Sequence, residues 1–136
     1  MTEPFSVVRA ANIEVAAEAR RWLVRELWGR AAVGIVGGAP KVGKSWFALD
    51  LAVSVASGTP CLGHFEVEDV GPALVFLAED TLPAVRSRLA SIAESRDLDF
   101  TALAVDVIVE PVVRLDQVQH RERLVRTLEQ HRPKLL

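Results

Sequence analysis

A glycine-rich segment in the first third of the chain has the residue types and the spacing that bind a phosphate. Residues 38–45 read Gly-Ala-Pro-Lys-Val-Gly-Lys-Ser, which fits the pattern G-x-x-x-x-G-K-[ST]. Gly38 and Gly43 permit backbone dihedrals that a Cβ would block, so that successive N–H groups turn inward around an anion. The Lys44 ammonium supplies a point charge for the β- and γ-phosphates, and the Ser45 hydroxyl is a hard oxygen ligand for Mg²⁺. The segment therefore predicts a nucleotide phosphate site.

The elements on either side of this segment have the order that a phosphate loop requires. Residues 33–36 form a short apolar run that is typical of a buried strand. Residues 45–56 contain neither Pro nor Gly, and Phe47, Leu51 and Val55 recur every four residues, which predicts a helix. The N-terminus of such a helix itself favours anions. Strand, loop and helix together favour a phosphate loop over a chance glycine-rich turn.

Composition bounds the class of protein. The 136 residues suffice for one domain with a core, and 50% hydrophobic and 25% charged residues are ordinary for a globular chain. The net charge of −2 neither supports nor excludes a nucleic-acid partner. Cys61 is the single cysteine, which rules out an internal disulfide and argues against a zinc cluster. Because no apolar run reaches membrane-spanning length and the N-terminus lacks a signal sequence, we expect a cytoplasmic protein without a membrane partner.

The rest of the chain alternates predicted helices with predicted strands. The helices cover residues 14–27, 83–95 and 117–131, and the strands cover 65–67, 73–78 and 103–109. Side chains expected to face the core on the last two helices are Val85, Leu89, Ile92, Leu124, Val125 and Leu128. Strands of nearly continuous apolar residues between helices indicate a parallel sheet covered on both faces. The predicted fold class is therefore α/β with a parallel sheet.

Two acids follow the predicted strand at residues 73–78. Because ligands of parallel α/β sheets bind at the carboxyl ends of the strands, Glu79 and Asp80 are expected to face the same crevice as the phosphate loop. Phosphoryl transfer to water needs a group that orients the nucleophile, and Glu79 is the candidate catalytic base. Asp80 is interpreted as the N-cap of the following helix. The alternative is that both acids are solvated caps at the end of a strand.

The quoted segments resemble RecA-like P-loop ATPases of the RepA-type (AAA_25-like) replicative helicase family. The likeness rests on residues 37–52 around the phosphate loop, on 73–80 with the following Arg86–Leu89, and on the lead-in at 21–29. It spans about residues 20–136 and implies a three-layer P-loop NTPase fold. The corresponding division of the chain is a lead-in with a helix at residues 1–32 and a partial ATPase domain at 33–136.

The resemblance also implies cofactors, site residues and partners. The cofactors are ATP and Mg²⁺, the catalytic residues are Lys44 and Glu79, and Ser45 is the metal ligand. The nucleotide-binding residues run continuously through the loop: Gly38, Ala39, Pro40, Lys41, Val42, Gly43, Lys44, Ser45 and Trp46. Single-stranded DNA and a homo-oligomeric ring are expected from the resemblance alone.

The family also places an acidic residue at the end of a later strand, on the metal side. Residues 132–136 resemble the opening of that strand, and no acid follows them. Asp106 imitates the pattern, but it falls within a predicted strand and is not assigned the role. We therefore expect the chain to be the front part of a longer ATPase. The alternatives are a nucleotide-binding regulatory module without turnover and a small-molecule kinase; a GTPase is disfavoured because no guanine-recognition motif is present.

Overall fold

The computed structural model describes residues 2–15 and 21–136. Its helices are α1 (Lys44–Ser57), α2 (Leu82–Ser95) and α3 (Val118–His131), with 3-10 turns at Ala10–Asn12 and Phe100–Ala102. Its strands are β1 (Trp22–Val24), β2 (Trp28–Gly29), β3 (Ala73–Val75) and β4 (Val105–Val107). The three helices predicted after residue 40 are confirmed, and α1 ends at Gly58, which takes a φ of 79°.

Helix α1 is the central element because two of its faces are buried. One face carries Leu51 and Val55 and packs into the hairpin cluster, which also contains Leu23, Val24 and Cys61. The other face packs into the α2 cluster, whose buried members are Leu49, Val53, Val85, Leu89 and Ile92. Burial of each such Leu or Val contributes about 1.5–3 kcal/mol, so the loop that precedes α1 rests on a firmly held helix.

The parallel sheet is narrow. Strand β3 pairs with β4 in parallel register, Ala73 opposite Val105 and Val75 opposite Val107. On the other side of β3, the Leu74 N–H donates to the Leu135 carbonyl at 2.9 Å, and Leu135 forms a parallel bridge with Ala73. The predicted α/β class with a parallel sheet is thus confirmed, although both strands are shorter than predicted.

The two faces of this sheet are covered differently. Val75, Val105 and Val107 pack against the α2 cluster on one face. On the opposite face, Leu74 and residues of α3 line a common cavity. Helix α3 has no buried residue, and Val125 is 53% exposed. The prediction that Val125 faces inward is therefore wrong, whereas Leu124 and Leu128 are half-buried as expected.

The helix predicted at residues 14–27 is wrong wherever the structure describes it. Residues 14 and 15 are irregular, 21–29 contain an antiparallel hairpin, and residues 16–20 lie outside the described part. Trp22, Val24 and Trp28 are aromatic or β-branched and favour strands, whereas the apolar i, i+4 spacing was coincidental. Strand β1 is also held on its other side, because the Glu68 N–H donates to the Leu23 carbonyl at 2.8 Å.

The strand predicted at residues 33–36 is also absent. Val33 is 100% and Ile35 is 95% exposed, so this segment is not the buried strand that its apolarity indicated. A strand is stable only when a neighbour pairs with its backbone, and within residues 2–15 and 21–136 none pairs with these residues. Residues 65–67 likewise form only isolated bridges, Phe65 with Cys61 and Val67 with Val24.

Candidate functional site

The phosphate loop enters α1 through two residues with positive φ. Lys41 has a φ of 63° and Gly43, which is the N-cap of α1, has a φ of 97°. Only glycine adopts the second conformation without strain. At Gly38 the constraint is different, since a Cβ there would lie 2.9 Å from Cγ2 of Val42. Both glycines of the motif therefore have a physical requirement, one conformational and one steric.

The loop carbonyls hold Lys44 in place. Its Nζ donates to the carbonyl oxygen of Gly38 at 2.9 Å and to that of Ala39 at 2.8 Å. The ammonium thus lies in the concave side of the loop, at the first residue of α1. Here the positive end of the helix dipole adds to the lysine charge. This arrangement of donors fits the phosphates of a nucleotide.

An open cavity of about 700 Å³ joins the loop to the acids that follow β3. Its lining residues are Pro40, Lys41, Gly43, Lys44, Ser45, Trp46, Glu79, Asp80 and Arg88. Lys44, Ser45, Glu79 and Asp80 also line an adjoining cavity that reaches Phe76 and Leu77. The volume is within the range of small-ligand sites. The loop and the acids predicted from sequence therefore do share one crevice, while Gly38, Ala39 and Val42 shape the loop without lining the cavity.

The two adjacent acids have different surroundings. Asp80 accepts a hydrogen bond from Arg88 Nη1 at 2.9 Å and forms an ion pair with it. Glu79 is exposed and has no ion pair within the described residues. The interpretation of Asp80 as a helix cap is wrong: Thr81 is the N-cap of α2, and its hydroxyl accepts from the Ala84 N–H at 3.4 Å. Of the two carboxylates, Glu79 is thus the one available to a ligand.

Arg88 is the lining residue that sequence reasoning missed. Its guanidinium lies 5.6 Å from the ring centroid of Trp46, on the first turn of α1. Arg86, two residues earlier, points elsewhere and lies 5.3 Å from the Phe100 ring. The sequence spacing could have indicated this contact. Arg88 lies about two helical turns after Asp80, and its side chain is directed back towards the start of α2.

A second Arg–Asp pair ties the far half of α1 to α2. Arg96 donates to Asp50 and, at 2.8 Å each, to the hydroxyls of Ser54 and Thr59. Asp50 also accepts the Leu62 N–H at 2.8 Å and the Cys61 thiol at 3.4 Å. Burial, followed by the bond to Asp50 and its negative charge, raises the pKa of Cys61 to about 12. This network connects α1 to Arg96 and to residues 59–62, away from the cavity at the N-terminus of α1.

Asp106 lies away from the phosphate loop. It is exposed at the middle of β4 and lines a separate cavity of about 250 Å³ between β4 and α3. Its Oδ2 lies 3.7 Å from His131 Nδ1. Among the described residues, no group of three or more His, Cys, Asp or Glu is arranged to hold a metal ion. At the loop, Ser45 offers a hydroxyl oxygen, a ligand type that Mg²⁺ accepts together with water and phosphate oxygens.

Fold and loop together define a P-loop nucleotide-binding domain. The sequence matches the family model described as an AAA domain (AAA_25) over residues 2–136, and the chain belongs to this family. No curated protein and no solved structure matches it. None of the helices in the described part of the chain is both long and apolar enough to span a membrane. The chain is thus a P-loop ATPase of the AAA class by family.

Proposed function

We propose that the chain binds Mg-ATP at residues 38–46 and hydrolyses it with Glu79 as the base. The observation that carries this proposal is the cavity of about 700 Å³ that Lys44, Ser45 and Glu79 line together. Family membership supports nucleotide binding in general. The loop and α1 supply positioning and positive charge, and Glu79 supplies an acceptor for the proton of water.

In this mechanism each group has one task. The N–H groups at the start of α1 and the Lys44 ammonium bind the β- and γ-phosphates and offset their charge. The Ser45 hydroxyl would hold Mg²⁺, which would supply further positive charge to offset that of the phosphates. Glu79 orients a water molecule and accepts its proton as the water oxygen bonds to the γ-phosphorus. The bond from that phosphorus to the bridging oxygen breaks, and ADP leaves with the electron pair.

Lys44→Ala tests the site directly. We expect the affinity for Mg-ATP to fall about 100-fold, because the variant loses a charge-assisted contact in the loop. Lys134→Ala is the matched control, since Lys134 carries the same charge, pairs with Asp69 at 3.2 Å and does not line the cavity; it should change the affinity less than about threefold. Titration calorimetry measures both. Equal binding by the Lys44 variant and the parent chain would refute the proposal.

We further propose that the domain belongs to a RepA-like DNA helicase with a RecA-like three-layer fold, as part of a ring and acting on single-stranded DNA. The resemblance of residues 37–52 and 73–80 supports this, as does the placement of helices α1 and α2 on one face of the sheet and α3 on the other. The test is hydrolysis of ATP with and without single-stranded DNA. A rise of about tenfold is expected for a DNA motor, and no response to DNA would refute this assignment.

A nucleotide-sensing module without turnover is the second candidate. It is favoured by one observation: among the described residues, the carboxylates that line the phosphate cavity are Glu79 and Asp80, and Arg88 neutralises the second. Within the described part of the chain, no further acid lines this cavity. Binding of Mg-ATP that depends on Lys44, with hydrolysis no faster than in Glu79→Gln, would select the sensor over the ATPase.

A further inference from the structure

We propose that Arg88 is a positioning residue of the phosphate site. It holds Asp80 on one side and the ring of Trp46 on the other, and it leaves Glu79 as the free carboxylate. This inference rests on the proposed function, because it assigns a task within the same site. The contacts of Arg88 with Asp80 and Trp46 can be tested without measuring the hydrolysis of ATP.

The contacts of Arg88 join two elements that must keep a fixed distance. Trp46 lies in the first turn of α1, next to Ser45, so its position follows that of the phosphate-binding N–H groups. Asp80 lies at the turn before α2, next to Glu79. The guanidinium lies 5.6 Å from the Trp46 ring centroid and donates to the Asp80 carboxylate at 2.9 Å. Arg88 is therefore the direct bridge between the loop side and the acid side of the cavity.

The physical chemistry favours arginine for this task. A planar guanidinium can stack on an aromatic face and hydrogen-bond a carboxylate in its own plane at the same time, which an ammonium cannot do. The side chains of Arg88 and Asp80 are 29% and 21% exposed, so the pair is partly shielded from solvent. The charge of Asp80 is thereby matched, and it competes less with Glu79 for water or with phosphate for Lys44.

The test compares Arg88→Gln, Asp80→Asn and the double variant in the 136-residue chain. We expect hydrolysis of Mg-ATP to fall roughly ten- to 100-fold in each, because a shift of about 1 Å in a positioned group has effects of that size. The double variant should fall no further than either single one, since the two residues act as a unit. The Kd for Mg-ATP should stay within about threefold of the parent value. Arg88→Lys should recover only a minor part of the loss.

Arg86→Gln is the matched control. Arg86 lies on the same helix, carries the same charge and contacts Phe100 outside the cavity. It should leave hydrolysis within about twofold of the parent rate. A comparable loss in Arg86→Gln would show a general effect of helix charge and would overturn the proposal. A weaker Kd in Arg88→Gln with an unchanged Kd in Asp80→Asn would also overturn it, because Arg88 would then bind phosphate directly.

A second measurement is independent of hydrolysis. In a Trp22→Phe, Trp28→Phe background, Trp46 is the single tryptophan, and acrylamide quenching reports its exposure, which is 47% in the structure. Asp80→Asn and Arg88→Gln should both raise the quenching constant, by about the same factor. No change in Asp80→Asn would overturn the bridge. A parent chain that fails to hydrolyse ATP would overturn the proposed function and the rate effect together, while the quenching result would still decide the bridge.

Discussion

The two Arg–Asp pairs at opposite ends of α1 differ in how completely their hydrogen bonds are satisfied. Arg96 donates to a carboxylate and to two hydroxyls, and its partner Asp50 accepts two further donors. Among the described residues, Arg88 donates to Asp80 only and otherwise lies against the face of Trp46, in an open cavity. A guanidinium has five N–H donors, so Arg88 keeps capacity that Arg96 has used.

On this difference we base the distinction between a structural pair and a positioning pair. The bonds of Arg96 connect α1, α2 and the connector after Gly58, away from the cavity. The contacts of Arg88 connect two sides of the cavity. In the proposed function, identical residue types serve stability at one end of α1 and a reaction at the other.

The largest expected effect is on the rate of ATP hydrolysis, at the cavity beside the N-terminus of α1. Glu79→Gln removes the proposed proton acceptor but keeps the size of the side chain, so hydrolysis should fall about 100-fold or more. The free energy of unfolding should change by less than about 0.5 kcal/mol, because Glu79 is exposed. Phosphate release and urea unfolding measure the two quantities. Glu94→Gln, an exposed position on α2, is the control and should alter neither.

The next largest effect is expected on the free energy of unfolding, at the Arg96–Asp50 pair. Arg96→Met leaves Asp50 without its ion pair in partly buried surroundings, and should lower the free energy of unfolding by about 2–3 kcal/mol. The affinity of the folded chain for Mg-ATP should not change. Arg126→Met, on the exposed side of α3, provides the comparison and should cost less than about 0.5 kcal/mol. If Arg96→Met proved as stable as Arg126→Met, the distinction between the two pairs would fail.

The same measurement on the open pair should give a smaller value. Arg88→Gln is expected to lower the free energy of unfolding by about 1 kcal/mol or less, because the pair is partly exposed and makes one hydrogen bond. Urea denaturation of Arg88→Gln and Arg96→Met under the same conditions compares the two losses of unfolding free energy. A loss as large as that of Arg96→Met would mean that Arg88 is mainly structural.

At neutral pH the smallest effect is expected at Cys61. Cys61 is buried, but serine can still donate to Asp50, so Cys61→Ser should cost no more than about 1 kcal/mol at pH 7. The thiol pKa is raised by burial from 9.0 to about 12. Between pH 9 and 12 the folded state therefore keeps the thiol proton, whereas the unfolded state loses it. The stabilisation is present below about pH 9 and is lost as the pH rises towards 12. Urea unfolding between pH 8 and 11 should show a shallower decline in the serine variant than in the parent chain.

Sequence reasoning succeeded where structure is local. Helices α1, α2 and α3 follow from helical spacing and from breakers such as Gly58 and Pro133, and they were found almost residue by residue. The phosphate loop was found because each of its positions has a separate local requirement. The meeting of loop and acids followed from a general rule for parallel sheets, which needs only the order of elements.

It failed where a partner decides the outcome. The hairpin at residues 21–29 depends on pairing of β1 with residues 66–68, which are distant in sequence. The apolar residues of this segment also have helical spacing, and this led to the wrong prediction of a helix. Residues 33–36 have the composition of a buried strand, but pairing sets their state and composition does not. Arg88 was overlooked for the same reason, because its contact with Trp46 joins two helices that are distant in sequence.

The two carbonyl contacts of Lys44 make ligand binding a competition. The loop already offers this ammonium two oxygen atoms at 2.9 and 2.8 Å, so a ligand gains only the difference between its own oxygens and those of Gly38 and Ala39. A phosphate ligand of the proposed site would therefore have to offer Lys44 oxygens that bind it more strongly than these two carbonyls do.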